Sequence, residues 1–351
     1  MADERIVVDH PLVHPSGIFF GLPEEQYHAA LALSATGIKA LRIDQMAWWA
    51  QSPLNPDRKD EETTAMKIGK AFHARIVEGF EVFAQRYAAV LEPEAYPDAL
   101  RTVSDLTKAL ARHHDRPRSG ALKADIIRQL LVLEPDAQIW DEMVRRHAEI
   151  HANRILLDAS LIEQIERAAG RIEDHPQLGR AFKDGAAEVS VFWVDEDTGV
   201  PCKSRFDYLK PRAITDLKSF TLRDVLPEKA IVQAVARYKY HLQAAFYLRA
   251  AEQLPRLVAD GLVAGDHDPQ FLAEVVEGPK TFLFVFQAVG EPLLLGRVMP
   301  PGIVLDMGHA LVEDALLRWA DAWRTWRTAE WNQIHEIAAF ADSEFPPWLN
   351  D

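Results

Sequence analysis

The chain has 351 residues, with 39 Lys and Arg against 53 Asp and Glu, for a formal net charge of −14 with His neutral. An apolar content of 48% provides material for a packed core and excludes wholesale disorder, while the single cysteine, Cys202, excludes an internal disulfide framework and any four-cysteine iron–sulfur cluster. The opening MADERIVVDH lacks an apolar h-region and no apolar run reaches a membrane span, so we expect no signal peptide, no membrane partner and a cytoplasmic location.

Residues 1–30 carry Pro11, Pro15, Gly17, Gly21 and Pro23 and read as an extended, turn-rich entry. A helical run follows from Gly37 to about Ala50, with Ser34 or Thr36 as its N-cap. Lys39 and Arg42 lie three apart on it, so hydroxyls and bases gather at one helix start, which is either an anion site or an ordinary capped helix. A polar loop over 51–63 leads into a second helical run, Thr64 to about Arg86, that contains His73. Residues 92–150 look like an insert in which helical patterns near Val103–His113 and Leu122–Leu131 flank a loop with Pro117 and Gly120. Arg112, Arg116, Arg118, Lys123 and Arg128 make this insert basic. From Ile155 to about Asp174 the apolar residues Leu157, Leu161, Ile162, Ile165, Ala168 and Ile172 repeat at helical spacing.

Three short β-type runs come next, Glu188–Val194, Lys203–Leu209 and Ala213–Leu217, with turn residues Asp195, Asp197, Gly199 and Pro211 between them. A long helical pattern covers about Glu228 to Glu252, and Pro255–Pro279 reads as a linker. Lys280–Val289 is an almost unbroken apolar run, as expected of a buried strand, with Leu293–Val298 as its hairpin partner. A right-handed strand–helix–strand crossover would set the Phe282 strand parallel to the Asp216 strand. Pro301 to about Thr328 is helical and clusters Trp319, Trp323 and Trp326, an aromatic stripe suited to a core or a subunit interface. No internal repeat or low-complexity segment is present.

The polar residues of the three β runs carry the chemistry. Asp216 and Lys218 flank Leu217 at a spacing of two and so point to one face of a strand. If the two adjoining runs form a hairpin, Asp207 comes to lie beside Asp216. Two adjacent carboxylates repel unless a cation compensates, and a hard divalent metal suits them. Lys218 could then orient a water or offset charge on a phosphate, Glu188 adds a third carboxylate, and Gln243 and Tyr247 share one helix face. From Lys203 to Lys239 the sequence is locally basic, including Arg205, which suits either a DNA channel within an acidic exterior or a solvated charged face.

The constellation Asp207, Asp216-Leu217-Lys218 and Gln243-x-x-x-Tyr247 resembles the PD-(D/E)xK nuclease superfamily, specifically its RecB-like branch and the exonuclease VIII (RecE) family. Gly69-Lys70-Ala71-Phe72-His73 is similar to the G-x-x-x-H element of that branch. LSATGIKAL around Ser34, TTAMKIGKAFH ending at His73, and FPPW at Phe345–Trp348 are similar to the same family. The insert resembles a small SAP-like DNA-binding motif, with HHDRP where that motif has a hydrophobic turn with a Gly.

The resemblance implies an α/β fold: a restriction-endonuclease-like core with a central mixed sheet flanked by helices, plus helical additions. It divides the chain into an N-terminal helical part (1–91) carrying G-x-x-x-H, a helical insert (92–150), and the nuclease core with C-terminal helices (151–351). It implies a Mg²⁺-dependent exodeoxyribonuclease, with Mn²⁺ as a substitute, that degrades double-stranded DNA 5′→3′ in phage-type recombination. His73, Asp207, Asp216 and the Leu217 carbonyl would hold the metal, Glu188 would support it or a second ion, and Lys218 would position the attacking water. Gln243 and Tyr247 would fix Lys218 or a phosphate, and Ser34, Thr36, Lys39, Arg42 and Arg205 would contact DNA. A ring-shaped homo-oligomer and a RecT-like single-strand annealing partner follow from the same resemblance. The rivals are a RecB-like single-strand or endonucleolytic DNase, a catalytically silent DNA-binding module, and an interaction or scaffolding protein whose carboxylates are only surface charges.

Overall fold

The structure is a computed structural model that describes residues 5–59, 62–221 and 226–332; the FPPW segment and Arg223 lie outside the described residues. Nine strands are formed among them: β1 (Gly17–Phe19), β2 (Tyr87–Ala89), β3 (Ile155–Leu157), β4 (Ala186–Val194), β5 (Pro201–Leu209), β6 (Ala213–Phe220), β7 (Val263–Ala264), β8 (Thr281–Ala288) and β9 (Leu295–Val298). The chain separates into two compact units, residues 1–62 with 177–351, and residues 63–176. Among the described residues no helix is long and apolar enough to cross a membrane.

The first unit is built on a seven-stranded mixed sheet in the order β7-β1-β4-β5-β6-β8-β9. The run β4, β5, β6 is an antiparallel meander, which short turns permit. β6 then pairs with β8 in parallel, Asp216 opposite Phe284, and β9 closes the edge antiparallel to β8. The parallel step needs a crossover, and the helices between β6 and β8 supply it. The expected α/β fold, a central mixed sheet flanked by helices, is the fold observed.

The long helix expected over Glu228–Glu252 is instead two, Pro227–Arg237 and Tyr240–Glu252, with Lys239 between them in the left-handed region at φ 53° and ψ 45°. No Gly or Pro marks this break, so the helical periodicity runs through it unaltered. The Tyr240–Glu252 helix packs on the sheet through Leu242, Ala245 and Phe246, all in the main core with Val189, Phe206 and Phe284. The Arg249 guanidinium reaches the buried Asp195 carboxylate at 2.6 Å and so ties this helix to the β4–β5 turn. On its other side lies the Gly302–Trp326 helix, where Gly308 allows close approach: a Cβ there would sit 2.5 Å from the His241 carbonyl oxygen. The tryptophan stripe on this helix is core. Trp319 and Trp323 stack at 5.3 Å and Trp48 lies edge-on to Trp319, with Trp48, Trp319 and Trp323 all buried within the unit.

Other sequence expectations shift in the same way. The run after Gly37 is two short helices, Ala35–Leu41 and Gln45–Gln51, because Asp44 caps the second through Met46 N–H. The stretch read as a linker holds the helices Leu254–Ala259 and Pro269–Val275 with β7 between them. In the second unit the Thr64–His73 helix widens into a π turn over Ala74–Glu78 and stops at Gly79, whose φ of 99° glycine tolerates best. Helices Val103–Arg112 and Lys123–Leu133 pack through Leu106, Leu110, Ile126, Ile127 and Leu130, and a further helix, Trp140–Ile150, follows. The helix expected from Ile155 starts as β3 and becomes helical only at Ala159, running to Glu173.

Candidate active site

An irregularity in the β4–β5 ladder prepares the site. Glu188 takes φ 55°, which is costly for a residue with a Cβ, and lies between the pairs Ala187↔Tyr208 and Val189↔Phe206. Phe206 and Leu209, three apart, both join the main core, so strict alternation has slipped at Asp207 and Tyr208. The β5–β6 ladder ends in the same place, at Tyr208↔Thr215. Past it, Asp207 Oδ2 accepts from Leu217 N–H at 2.8 Å, a side-chain oxygen standing where the next backbone acceptor would be. β6 itself continues beside β8 to Phe220, so Asp216 and Lys218 remain on a straight, paired strand.

Asp216 is fully buried. Its Oδ1 accepts from Gln243 Nε2 at 2.7 Å, and its Oδ2 lies 2.5 Å from Lys218 Nζ. Burial pulls the Lys218 ammonium down, but Asp216, Asp207 and Tyr240 together outweigh it and hold the group above its ordinary range. Lys218 is therefore a cation at neutral pH. Tyr247, one turn beyond Gln243, is held neutral, because burial first and then Tyr27, Asp216 and Asp207 raise its phenol well above the usual value, an effect that neighbouring Gln243 partly offsets. In the structure Gln243 contacts Asp216, the carboxylate that also faces Lys218.

Tyr240, which the sequence reading did not single out, organises the cations of the site. Lys218 Nζ lies 5.0 Å from its ring centroid and Lys39 Nζ 5.4 Å, so the ring sits beside both ammonium groups. Burial, reinforced by Lys218 and opposed by Asp216, pushes Lys39 down to about 8. Next along the helix, the His241 imidazolium is disfavoured first by burial and then by Lys239, Arg42 and Lys39. Lys39, Arg42, Lys218 and Lys239 therefore bring positive charge to the Tyr240–His241 end of this helix. The available signal was that Tyr240 lies three residues before Gln243, on the same helix face.

The remaining candidates sort differently. Ser34 is the N-cap, its Oγ accepting from Gly37 N–H at 3.1 Å, and Thr36 is exposed in the first turn. Arg42 is exposed at the other end of that short helix. Arg205 is engaged inward: Nε donates to Ser190 Oγ at 2.8 Å, Nη2 donates to the Leu22 carbonyl at 2.7 Å, and Glu188 lies at 3.7 Å. Lys203 is buried and donates to the carbonyls of Tyr27 and Ala30 at 2.7 and 2.8 Å. Lys210 donates to the Arg180 and Lys183 carbonyls, and Arg212 to that of Glu277. The first half of the basic stretch thus directs hydrogen bonds to backbone carbonyls and, from Arg205, to Ser190 Oγ. His73 belongs to the second unit, as the last residue of the Thr64–His73 helix before its π turn.

The donor set suits a hard divalent cation. Asp207, Asp216 and the Leu217 carbonyl are all oxygen donors on two neighbouring strands, which fits Mg²⁺ or Mn²⁺ better than a thiolate-seeking metal. The one thiol, Cys202, is buried in the main core and pushed further towards its neutral form by burial.

A family model described as "PDDEXK-like domain of unknown function (DUF3799)" matches residues 34–257, a span that contains every residue of this constellation. The chain is also similar to the crystal structure of a "Putative exonuclease" from Eubacterium rectale, with 14% identity, a TM-score of 0.44, and coverage of 92% of this chain and 97% of that one. No curated protein matches the chain.

Proposed function

We propose, from the premise that the chain belongs to the PDDEXK-like DUF3799 family, that it is a divalent-metal-dependent deoxyribonuclease with Asp207, Asp216 and Lys218 at its catalytic centre. The observation that carries this reading is the Asp216 carboxylate, buried on β6 and held by Gln243 on one oxygen and Lys218 on the other. A buried acid fixed in this way is an expensive feature for a fold to keep without a use. A divalent cation bound by Asp207, Asp216 and the Leu217 carbonyl would supply Lewis-acid polarisation of the scissile phosphate and a more acidic water.

The chain's own groups do the rest. Gln243 fixes the rotamer of Asp216, and Asp207 keeps its orientation through Leu217 N–H. Lys218, a cation at neutral pH, stabilises negative charge building on the phosphate or holds the attacking water. Tyr240 limits where the ammonium groups of Lys218 and Lys39 can lie. Lys39, Arg42 and Lys239 neutralise the flanking phosphates. His73 as a further ligand and Glu188 as a supporting carboxylate rest on the family resemblance.

On the same resemblance we take the activity to be exonucleolytic, 5′→3′ on double-stranded ends, in phage-type recombination with an annealing partner. The test is digestion of end-labelled duplex DNA with and without Mg²⁺, on 5′-phosphate and 5′-hydroxyl ends, by the wild type and Asp216→Asn. The expected result is Mg²⁺-dependent shortening from the 5′ end, lost in the variant by at least about a hundredfold. Cleavage that survives in Asp216→Asn would overturn the site. Preference for single strands or for internal positions would instead favour a RecB-like DNase of the other type.

A further inference from the structure

We infer that the loop between the helices Val103–Arg112 and Lys123–Leu133 is a second duplex-DNA contact, gripping the phosphate backbone through Arg112, Arg116 and Arg118; this rests on the nuclease reading above. The three arginines are exposed and form no ion pair among the described residues. Two other cations near them do: Lys123 pairs with Asp141 and Arg128 with Asp125.

The loop that presents them has a fixed shape. The first helix ends with His114 in the left-handed region at φ 56°. His114 N–H bonds the Ala111 carbonyl and Asp115 N–H the Leu110 carbonyl, both at 3.1 Å, which is a Schellman closure. From the facing helix, Gln129 Nε2 donates to Asp115 Oδ2 at 2.7 Å and to the Arg116 carbonyl at 3.0 Å. Asp115, the one acid of the loop, is thereby turned to bracing its backbone, its other oxygen accepting from Arg116 N–H. What remains outward is three guanidinium groups on a braced frame, and the negative end of the first helix further favours Arg112.

Duplex DNA fits this surface best. Guanidinium forks match phosphate oxygens in two-point contacts, and several of them on a pre-set loop suit a regularly spaced backbone. In a protein of net charge −14, attraction to a polyanion has to come from such local clusters.

The test uses the full chain carrying Asp216→Asn, so that DNA stays intact, with binding to a 30-base-pair duplex followed by fluorescence anisotropy across a salt series. Replacing Arg112, Arg116 and Arg118 together by Ala is expected to weaken binding at least tenfold at low salt. It should also reduce the slope of log affinity against log salt by about 2 to 3, the contribution of that many phosphate contacts. The triple change to Lys, which keeps the charge, should leave the slope near its starting value. Gln129→Ala, which removes the brace and no charge, should weaken binding less and leave the slope unaltered. An unchanged slope in the triple Ala protein overturns the inference, as does an equal loss in the Ala and Lys proteins. Vesicles of phosphatidylserine and phosphatidylcholine form a separate arm, and binding to them with none to DNA would also overturn it. The nuclease reading is tested independently by Mg²⁺-dependent cleavage in the protein with Asp216 intact, so either can fail while the other stands.

Discussion

Gln243 controls how Asp216 presents its carboxylate, and that makes it a positioning residue whose loss has a specific signature. Partners that orient a metal-binding carboxylate are commonly worth about 10–100-fold in metal affinity. Gln243→Ala should therefore raise the Mg²⁺ concentration needed for half-maximal cleavage by about that factor, while DNA binding without metal is retained. A Mg²⁺ titration that superimposes on wild type, with weakened DNA binding, would reassign Gln243 to the substrate. Lys203 makes a different prediction, about stability. Burial pushes it down to about 7, with Arg58 and Arg205 adding to the shift. The unfolded chain has an ordinary lysine near 10.4, so between about pH 7 and pH 10 the unfolded state binds more protons than the folded one. Stability should accordingly rise with pH across this window, by up to about 1.4 kcal/mol per pH unit from this one group. Lys39, pushed down to about 8, adds in the same direction at the upper end. Urea midpoints at pH 7 and pH 9 check the sign: a flat or falling trend would mean that the Lys203 ammonium stays charged against the Tyr27 and Ala30 carbonyls. At this scale the sequence showed which residues are charged but not what they face. Asp207, Asp216, Lys218 and Gln243 were legible because their spacing on strands and a helix is a local property. The roles of Lys203, Lys210 and Arg212 were not, because each carbonyl they cap lies far away along the chain.

The elements were legible where alternation or turn chemistry is local, and illegible where a single backbone angle decides. The three site strands were each placed to within a few residues, since β-branched and aromatic runs end at Asp195, Gly199 and Pro211. The breaks at Asp44 and Lys239 carried weak signals or none. Lys239 matters most, because its left-handed geometry sets where the next helix starts and so the position of Tyr240 and Gln243 over β6 and β8. A residue with a Cβ costs roughly 1–2 kcal/mol in that region, and glycine avoids the cost while losing part of the gain to its freer unfolded chain. Lys239→Gly should therefore raise stability by about 0.5 kcal/mol, read from urea denaturation, and leave the Mg²⁺ requirement alone. Lys239→Val, β-branched and ill-suited to positive φ, should lower stability by more than 1 kcal/mol, roughly, and raise the Mg²⁺ requirement as the Gln243–Asp216 contact loosens. If both substitutions proved neutral, the left-handed link would not be what positions this helix.

For the molecule as a whole, an acidic chain that handles DNA needs its cations in the right places more than it needs many of them. Of the basic stretch near the catalytic centre, Lys203, Arg205, Lys210 and Arg212 donate to backbone carbonyls, while Lys218 and Lys239 stand with Lys39 and Arg42, from another part of the chain, around the Tyr240–His241 corner. Few phosphates can then be neutralised at once at this corner, so the affinity of one chain for duplex should be modest and fall with salt in proportion to that small number of contacts. Processive digestion under those conditions calls for a second device. We propose the closed ring for it; the Trp319–Trp323 stack lies in the core of the unit, so the contact between copies has to use other residues. A ring converts each dissociation into a topological problem, because threaded DNA cannot leave sideways. Salt should then slow loading while products per binding event stay nearly constant. A monomer re-binds through the same screened contacts after every release, so loading and processivity should decline together as salt rises. Mass by light scattering, together with products per binding event in the presence of a competitor trap from low to high salt, separates the two. Processivity that tracks loading, or a mass of one chain, removes the ring and assigns whatever persistence remains to the Arg112–Arg118 loop, whose triple Ala variant should then lose it.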